Sequence, residues 1–158
     1  MPDLDDHLAD RGQSGLFTRL ARVGLLLDDF QHRTLDAFGL RFVDFSVLRV
    51  IELGGPMSPS DLAELTLRST GGMTQIVDRL EREGLVGRTA DRADRRRVVV
   101  TLTPKGRRLA ARAQQAYARE RDRVLAPLSA KELADVDAAV QRLLGLLSDE
   151  AESAEAAS

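Results

Sequence analysis

Apolar residues recur at helical spacing along most of the chain. In the first third they alternate steps of four and three, which predicts one stripe along a long helix. The stripe consists of Leu16, Leu20, Val23, Leu27 and Phe30. We expect this helix to end near Gly39, because glycine readily adopts the left-handed conformation found at helix C-termini.

Two short helices are predicted next. In "DFSVLRVIEL" one face carries Phe45, Leu48 and Ile51, and the "GGP" of residues 54–56 stops the helix. In "SPSDLAEL", Ser58 can cap a helix and Pro59 suits its first position. A negative charge in the first turn, from the aspartate that follows, also suits the helix dipole. This helix is predicted to end around residue 67.

The stretch "STGGMTQIVDRLEREGLV" predicts a third short helix, capped by Ser69. Its apolar residues recur at i, i+3, i+4 and i+7, which is the pattern of a buried stripe. The stripe consists of Met73, Ile76, Val77 and Leu80. After Gly84, "LVGRT" and "RVVVTLT" have the β-branched composition of two strands, joined by the polar "ADRADRR".

Helices followed by a hairpin predict a winged helix, and two further helices complete the chain. One begins at Thr103 and Pro104 and runs to Pro127, and the next begins at the capping box of Ser129 and Glu132. The predicted fold is mainly α with a small β-hairpin wing, in a single domain. Its parts are the winged-helix core 40–103, dimerisation helices 14–38 and 104–148, and a disordered acidic tail 149–158.

The outer helices are too long and too apolar to be covered by a winged helix of this size. Only 4% of the residues are aromatic, whereas 43% are hydrophobic, so long aliphatic stripes dominate the apolar surface. We therefore expect the first and last helices to pair with a second copy of the chain, in preference to a monomer. A two-fold dimer would present two heads to two DNA half-sites roughly 34–36 Å apart.

Charge is distributed unevenly along the chain. Its net charge is −2, but between Arg68 and Arg108 eleven basic side chains face five acidic ones. A basic segment in an otherwise acidic chain is typical of a protein with one face against phosphate. The alternative is a solvated loop that happens to be rich in arginine.

The helix that begins at Thr70 carries the candidate DNA-reading surface. Threonine and glutamine contact base edges in the major groove, and Gly71 and Gly72 would let the helix N-terminus approach DNA closely. The alternative is that these residues form the solvent-exposed face of a helix with no role in DNA binding. The candidate DNA-binding residues, wing included, are Ser69, Thr70, Gly71, Thr74, Gln75, Arg79, Arg82, Arg95, Arg96 and Arg97.

Asp78 also lies on this outward face, where a lone carboxylate would repel DNA. We expect Asp78 and Asp94 to hold a wing arginine, Arg96, so that its guanidinium points into the neighbouring minor groove. The alternative is a surface cluster of ion pairs that contributes under about 1 kcal/mol.

Composition excludes several other kinds of chemistry. The absence of cysteine excludes disulfides, thiolate metal sites and thiol oxidation sensing. The two histidines, His7 and His32, lack partners at metal-ligand spacing, so neither a metal nor another cofactor is predicted. No apolar run is long enough to span a membrane and the N-terminus is no signal peptide, so a cytoplasmic protein is expected. A nucleophile motif, a phosphate loop and a paired acid and base are all missing, so an enzyme is not expected.

The run "SPSDLAELTLRSTGGMTQIVDRLEREGLVGRTADRADRRRVVVTLTPKG" closely resembles the MarR family of bacterial winged-helix regulators. Its most specific parts are "VDRLEREGLV", "DRADRRR" and "VTLTPKG", and its "STGGMT" head resembles the branch that includes urate- and phenolic-responsive regulators. The resemblance implies a homodimer that binds a pseudo-palindromic operator, usually as a repressor. It also implies that a small phenolic or anionic aromatic ligand, bound between the dimerisation helices and the reading head, weakens DNA binding.

The resemblance to the urate-responsive branch is incomplete. That branch has a tryptophan in its first helix and an aspartate at the position of Ser46, whereas this chain has no tryptophan. The candidate effector residue is His32, and the alternative is that His32 is a solvent-facing or interface residue. Two other functions stay open: a DNA-binding protein without an effector, and a winged helix that contacts proteins.

Overall fold

The computed structural model of the protein describes residues 13–91 and 96–156. As the sequence predicts, these residues are mainly helical with one antiparallel hairpin. The helices are α1 (Gln13–Leu35), α2 (Phe42–Gly54), α3 (Pro59–Leu65), α4 (Thr70–Arg82), α5 (Pro104–Leu125) and α6 (Ala130–Ala156). The strands are β1 (Val86–Ala90) and β2 (Val98–Leu102). The chain divides into two compact units, Met1–Ala118 and Arg119–Ser158, and the single domain stays a prediction.

Local sequence determines where the first helices begin and end. A short 3₁₀ turn over Asp36–Phe38 follows α1, and Gly39 then takes the predicted left-handed conformation with φ of 65°. At the start of α3, the Ser58 hydroxyl accepts from the Asp61 N–H at 3.2 Å, and the Asp61 carboxylate accepts from the Ser58 N–H at 3.1 Å. These two bonds form a capping box, with Pro59 at the first helical position as predicted.

The core of the first unit lies where α2, α3 and α4 face the hairpin. The apolar stripes predicted for α2 and α4 are buried. Their residues are Phe45, Leu48, Ile51, Met73, Ile76, Val77 and Leu80. Because α3 is capped and packed in this core, the turn between α3 and α4 is attached to the rigid part of the unit.

The hairpin is joined to the rest of the unit along one edge and at its base. β1 and β2 pair from Val86 with Leu102 to Ala90 with Val98, and Met57 pairs with Val100 on the other side of β2. The Thr103 hydroxyl, at the start of α5, donates to the carbonyl oxygen of Gly84 at 2.7 Å. Gly84 has a φ of 70°, so it supplies the left-handed residue that the end of α4 requires.

The second unit contains the end of α5 and all of α6. The predicted capping box is present, because the Ser129 N–H donates to the Glu132 carboxylate at 2.8 Å and the Glu132 N–H donates to the Ser129 hydroxyl at 3.3 Å. α6 continues to Ala156, into the segment 149–158 for which a disordered tail is predicted. The reason is that "DEAESAEA" is rich in alanine and glutamate, which favour helix as well as solubility.

Long apolar faces stay exposed in each unit. On α1, Phe17 is 57% exposed and Leu25 74%, and on α6 Val140 is 45% exposed and Leu144 52%. Within the described ranges no helix is both long and apolar enough to cross a membrane. Nothing among the described residues of the same unit covers these faces.

Candidate nucleic-acid interface and adjoining cavity

The outer face of α4 consists of small and polar residues above its buried stripe. The Ser69 hydroxyl accepts from the Gly72 N–H at 3.2 Å, which is the predicted N-cap. The exposed side of the helix presents Ser69, Thr70, Gly71, Thr74, Gln75 and Arg82. Short side chains in the first turn leave space in front of the helix N-terminus, and the N–H groups of a helix N-terminus bind phosphate well.

The two adjacent glycines have different surroundings. A Cβ placed on Gly71 would meet nothing within 4 Å, so no packing requires a glycine there. A Cβ on Gly72 would lie 3.1 Å from the Ser69 hydroxyl oxygen, which belongs to the cap. Packing therefore explains why position 72 is a glycine, but it does not explain why position 71 is one.

Arg79 does not project outward as the helical pattern predicts. Its guanidinium donates to the carboxylate of Asp44 in the first turn of α2, whose side chain is 5% exposed, and the Arg79 side chain is 25% exposed. The same carboxylate also accepts from the Arg41 N–H at 3.2 Å. Arg79 thus connects α4 to α2, and its role as a direct DNA contact stays a prediction.

Asp78 contacts an arginine outside the predicted set of site residues. The Arg88 guanidinium, on β1, binds both Asp78 and Glu81 of α4, and the Arg88 N–H donates to Glu81 at 3.2 Å. Burial alone would lower the pKa of Arg88, but the hydrogen bonds to these two carboxylates outweigh it and raise the pKa. Two carboxylates three residues apart on a helix, followed by an arginine just past the turn, are the signal that could have identified this contact.

The predicted wing residues lie partly outside the described residues. Arg95 and Asp94 fall within 92–95, so the expected pairing of Asp78 and Asp94 around Arg96 is only half described. Arg96 is exposed. The Arg97 side chain is 56% exposed, with its Nη2 3.7 Å from the Asp61 carboxylate of α3.

A cavity of about 480 Å³ adjoins the turn between α3 and α4. Its wall is aromatic, since the ring of Tyr117 lies 5.3 Å from that of Phe45 and 6.2 Å from that of Phe42. The lining residues are Phe42, Val43, Phe45, Ser46, Arg49, Val50, Leu65, Thr66, Leu67, Arg68, Gln114 and Tyr117. A cavity of this size and lining is typical of sites that bind small organic molecules.

The charge of this lining is positive. No lining residue is acidic, and of the two lining arginines Arg49 is paired with Glu52. His32 is exposed on α1 and does not line this cavity, and its role as an effector residue stays a prediction. Ser46, by contrast, is a lining residue.

Comparison with known proteins identifies the family. A family model described as the MarR family matches residues 38–97. Over a longer span, the chain is 31% identical to the HTH-type transcriptional repressor Rv2887 of Mycobacterium tuberculosis, across 86% of this chain and 96% of that protein. The chain belongs to the MarR family. It is therefore a DNA-binding transcription regulator and not an enzyme, as the sequence predicts.

Two further comparisons differ in coverage. The chain is 41% identical to the uncharacterized HTH-type transcriptional regulator YcgE of Bacillus subtilis, but the match spans 54% of this chain and only 53% of YcgE. The structure of CouR from Rhodococcus jostii RHA1 bound to p-coumaroyl-CoA is 26% identical, with a TM-score of 0.76 over 86% of this chain and 93% of that one. The second comparison confirms the winged-helix fold. The assignment to the urate- and phenolic-responsive branch stays a prediction.

Proposed function

We propose that the protein is a homodimeric repressor that reads a pseudo-palindromic operator in double-stranded DNA and is released by a small aromatic ligand. The outer face of α4 carries this proposal, because Thr74 and Gln75 stand exposed one turn beyond an accessible helix N-terminus. Glutamine can form two hydrogen bonds with adenine, and threonine can contact several base edges. Exposed Arg82, Arg96 and Arg97 add positive charge on α4 and the wing.

The dimer is supported by the exposed apolar faces of α1 and α6. Residues such as Leu26, at 61% exposed, and Leu147, at 47%, leave apolar surface in water that a second copy of the chain would cover. Burial of such surface contributes about 25 cal/mol per Å². The two-fold symmetry of the dimer then matches the symmetry of the operator.

The ligand is supported by the cavity beside the turn that leads into α4. Aromatic rings from α2 and α5 form its wall, and residues 66–68 of the turn complete it. A molecule bound there contacts the segment that supports the DNA-reading helix. A regulator with no effector, or a winged helix that contacts proteins, are the competing functions.

The first experiment selects operators from random double-stranded DNA and measures affinity for them over a range of salt concentrations. We expect affinity to fall steeply with salt, because phosphate contacts release counterions. Gln75→Ala should weaken operator binding by about tenfold while leaving binding to unrelated DNA unchanged. Gln115→Ala is the matched control, since Gln115 is also an exposed glutamine, on α5.

Three results would contradict the proposal. Equal affinity for selected and scrambled DNA would show that the protein does not recognise a specific sequence. A protein that sediments as a monomer at micromolar concentration would show that it does not form the proposed dimer. Unchanged operator affinity across a panel of aromatic acids, phenols and their neutral analogues would favour a regulator without an effector.

A further inference from the structure

The turn between α3 and α4 contains a left-handed leucine. Leu67 has a φ of 53° and is the only described residue other than glycine with positive φ. The Leu67 N–H donates to the carbonyl of Glu64 at 3.1 Å, and the Arg68 N–H donates to the carbonyl of Ala63 at 2.8 Å. These two bonds form a Schellman motif, in which the left-handed position is usually glycine because a side chain there is strained.

This turn directs two consecutive residues to the mouth of the cavity. Leu67 is 84% exposed although it is large and apolar, and both Leu67 and Arg68 line the cavity. Since the Arg68 N–H is hydrogen bonded, its backbone is held in place just before Ser69, the cap of α4. A strained conformation that exposes an apolar side chain is more typical of a binding surface than of a connection that serves folding alone.

The two lining arginines differ in the charge they can offer to an occupant. Arg49 is neutralised by Glu52, and both side chains are less than a quarter exposed. Arg68 is exposed and has no ion-pair or hydrogen-bond partner for its side chain among residues 13–91 and 96–156. Other polar side chains on the wall are neutral, among them Ser46 and Gln114.

We propose that Arg68 is the specificity-determining residue of the cavity, and that it selects aromatic ligands with a carboxylate over their neutral analogues. The ring lies against Phe42, Phe45 and Tyr117, and the carboxylate accepts hydrogen bonds from the Arg68 guanidinium, whose fork matches it. Leu67 covers the apolar part of the ligand at the mouth. The inference rests on the proposed function, since it requires a ligand in this cavity.

The test compares three aromatic carboxylates, benzoate, phenylacetate and p-coumarate, with their primary amides. Each acid and amide has nearly the same shape, so the pair isolates the charge. Binding is measured by calorimetry on the full-length protein without DNA, for wild type, Arg68→Gln, Arg68→Lys and Arg49→Gln. A thermal melt of each variant checks that it is folded.

We expect at least one acid to bind wild type about tenfold more tightly than its amide, and Arg68→Gln to remove that preference without changing amide binding. Arg68→Lys should restore part of it, because lysine keeps the charge and loses the fork. Arg49→Gln should leave it unchanged. Leu67→Gly should weaken acid and amide binding alike.

Each failure has a distinct meaning. If acids and amides bind wild type equally, or if Arg49→Gln and not Arg68→Gln removes the preference, Arg68 is not the selecting residue and the ligand-responsive function stands. If none of the six compounds binds wild type, both the inference and the proposed aromatic ligand are rejected.

Discussion

Replacing Gly71 with alanine should make the protein more stable and its DNA binding weaker. Alanine is favoured over glycine inside a helix by about 1 kcal/mol, and a methyl group at this position meets nothing within 4 Å. Because Gly71 lies in the first turn and not in the helix interior, a gain of up to about 1 kcal/mol is expected, which corresponds to a rise in Tm of at most about 2–4 °C for a chain of this size.

The loss of DNA affinity follows from the same methyl group. It would stand between the DNA and the accessible N–H groups of the first turn of α4, and would lengthen the hydrogen bonds that these groups donate to phosphate. Loss of one such charge-assisted bond costs about 1.5–3 kcal/mol, which is roughly a ten- to hundredfold loss of operator affinity.

The assay pairs a thermal melt at fixed protein concentration with fluorescence anisotropy on a labelled operator. Gly72→Ala is the matched control, because its Cβ would press on the Ser69 hydroxyl at 3.1 Å and disturb the cap, so that stability should not rise as it does for Gly71→Ala. A Gly71→Ala protein that is more stable and binds operator as tightly as wild type would refute the idea of close approach. One that is less stable would refute the argument from open space.

Three further predictions concern stability. Gly106→Ala should destabilise by about 1–3 kcal/mol in urea unfolding, because its Cβ would lie 1.9 Å from the backbone oxygen of Leu85; wild-type stability would contradict this packing. Asp44→Asn should cost about 1–3 kcal/mol, because it leaves the half-buried guanidinium of Arg79 without its counter-charge, and an unchanged urea midpoint would show that the pair contributes nothing. The capping-box hydrogen bonds lower the pKa of Asp61, so its contribution is complete above about pH 5 and is lost as pH falls through the lowered pKa. In Asp61→Asn, the free energy of unfolding should therefore fall less steeply below about pH 5 than in wild type. The same fall in both proteins would contradict the capping argument.

Sequence reasoning predicts this fold well where the determinants are local. The cap of α4 by Ser69 and the capping box that begins α6 both involve residues three apart, so their bonds can be predicted from spacing alone. The buried stripe of α4 is equally local, because helical periodicity decides which residues face the core.

Contacts between distant segments were beyond that reasoning. Asp44 and Arg79 are 35 residues apart, and a helical wheel has no information about what lies opposite each side chain. The same limit applies to the cavity, whose wall combines residues from α2, α5 and the turn before α4. For this reason His32, chosen from its helix alone, does not lie in that wall.

The binding of Arg88 to both Asp78 and Glu81 limits how such a protein can be regulated. These ion pairs connect β1, at the base of the wing, to α4, so we expect the helix and the hairpin to keep the same relative orientation when they contact DNA. In the proposed homodimer, helix and wing of each copy would then move together when a ligand binds, and the distance and angle between the two copies would decide whether both half-sites are reached. Inserting a few base pairs between two perfect half-sites should therefore weaken operator binding.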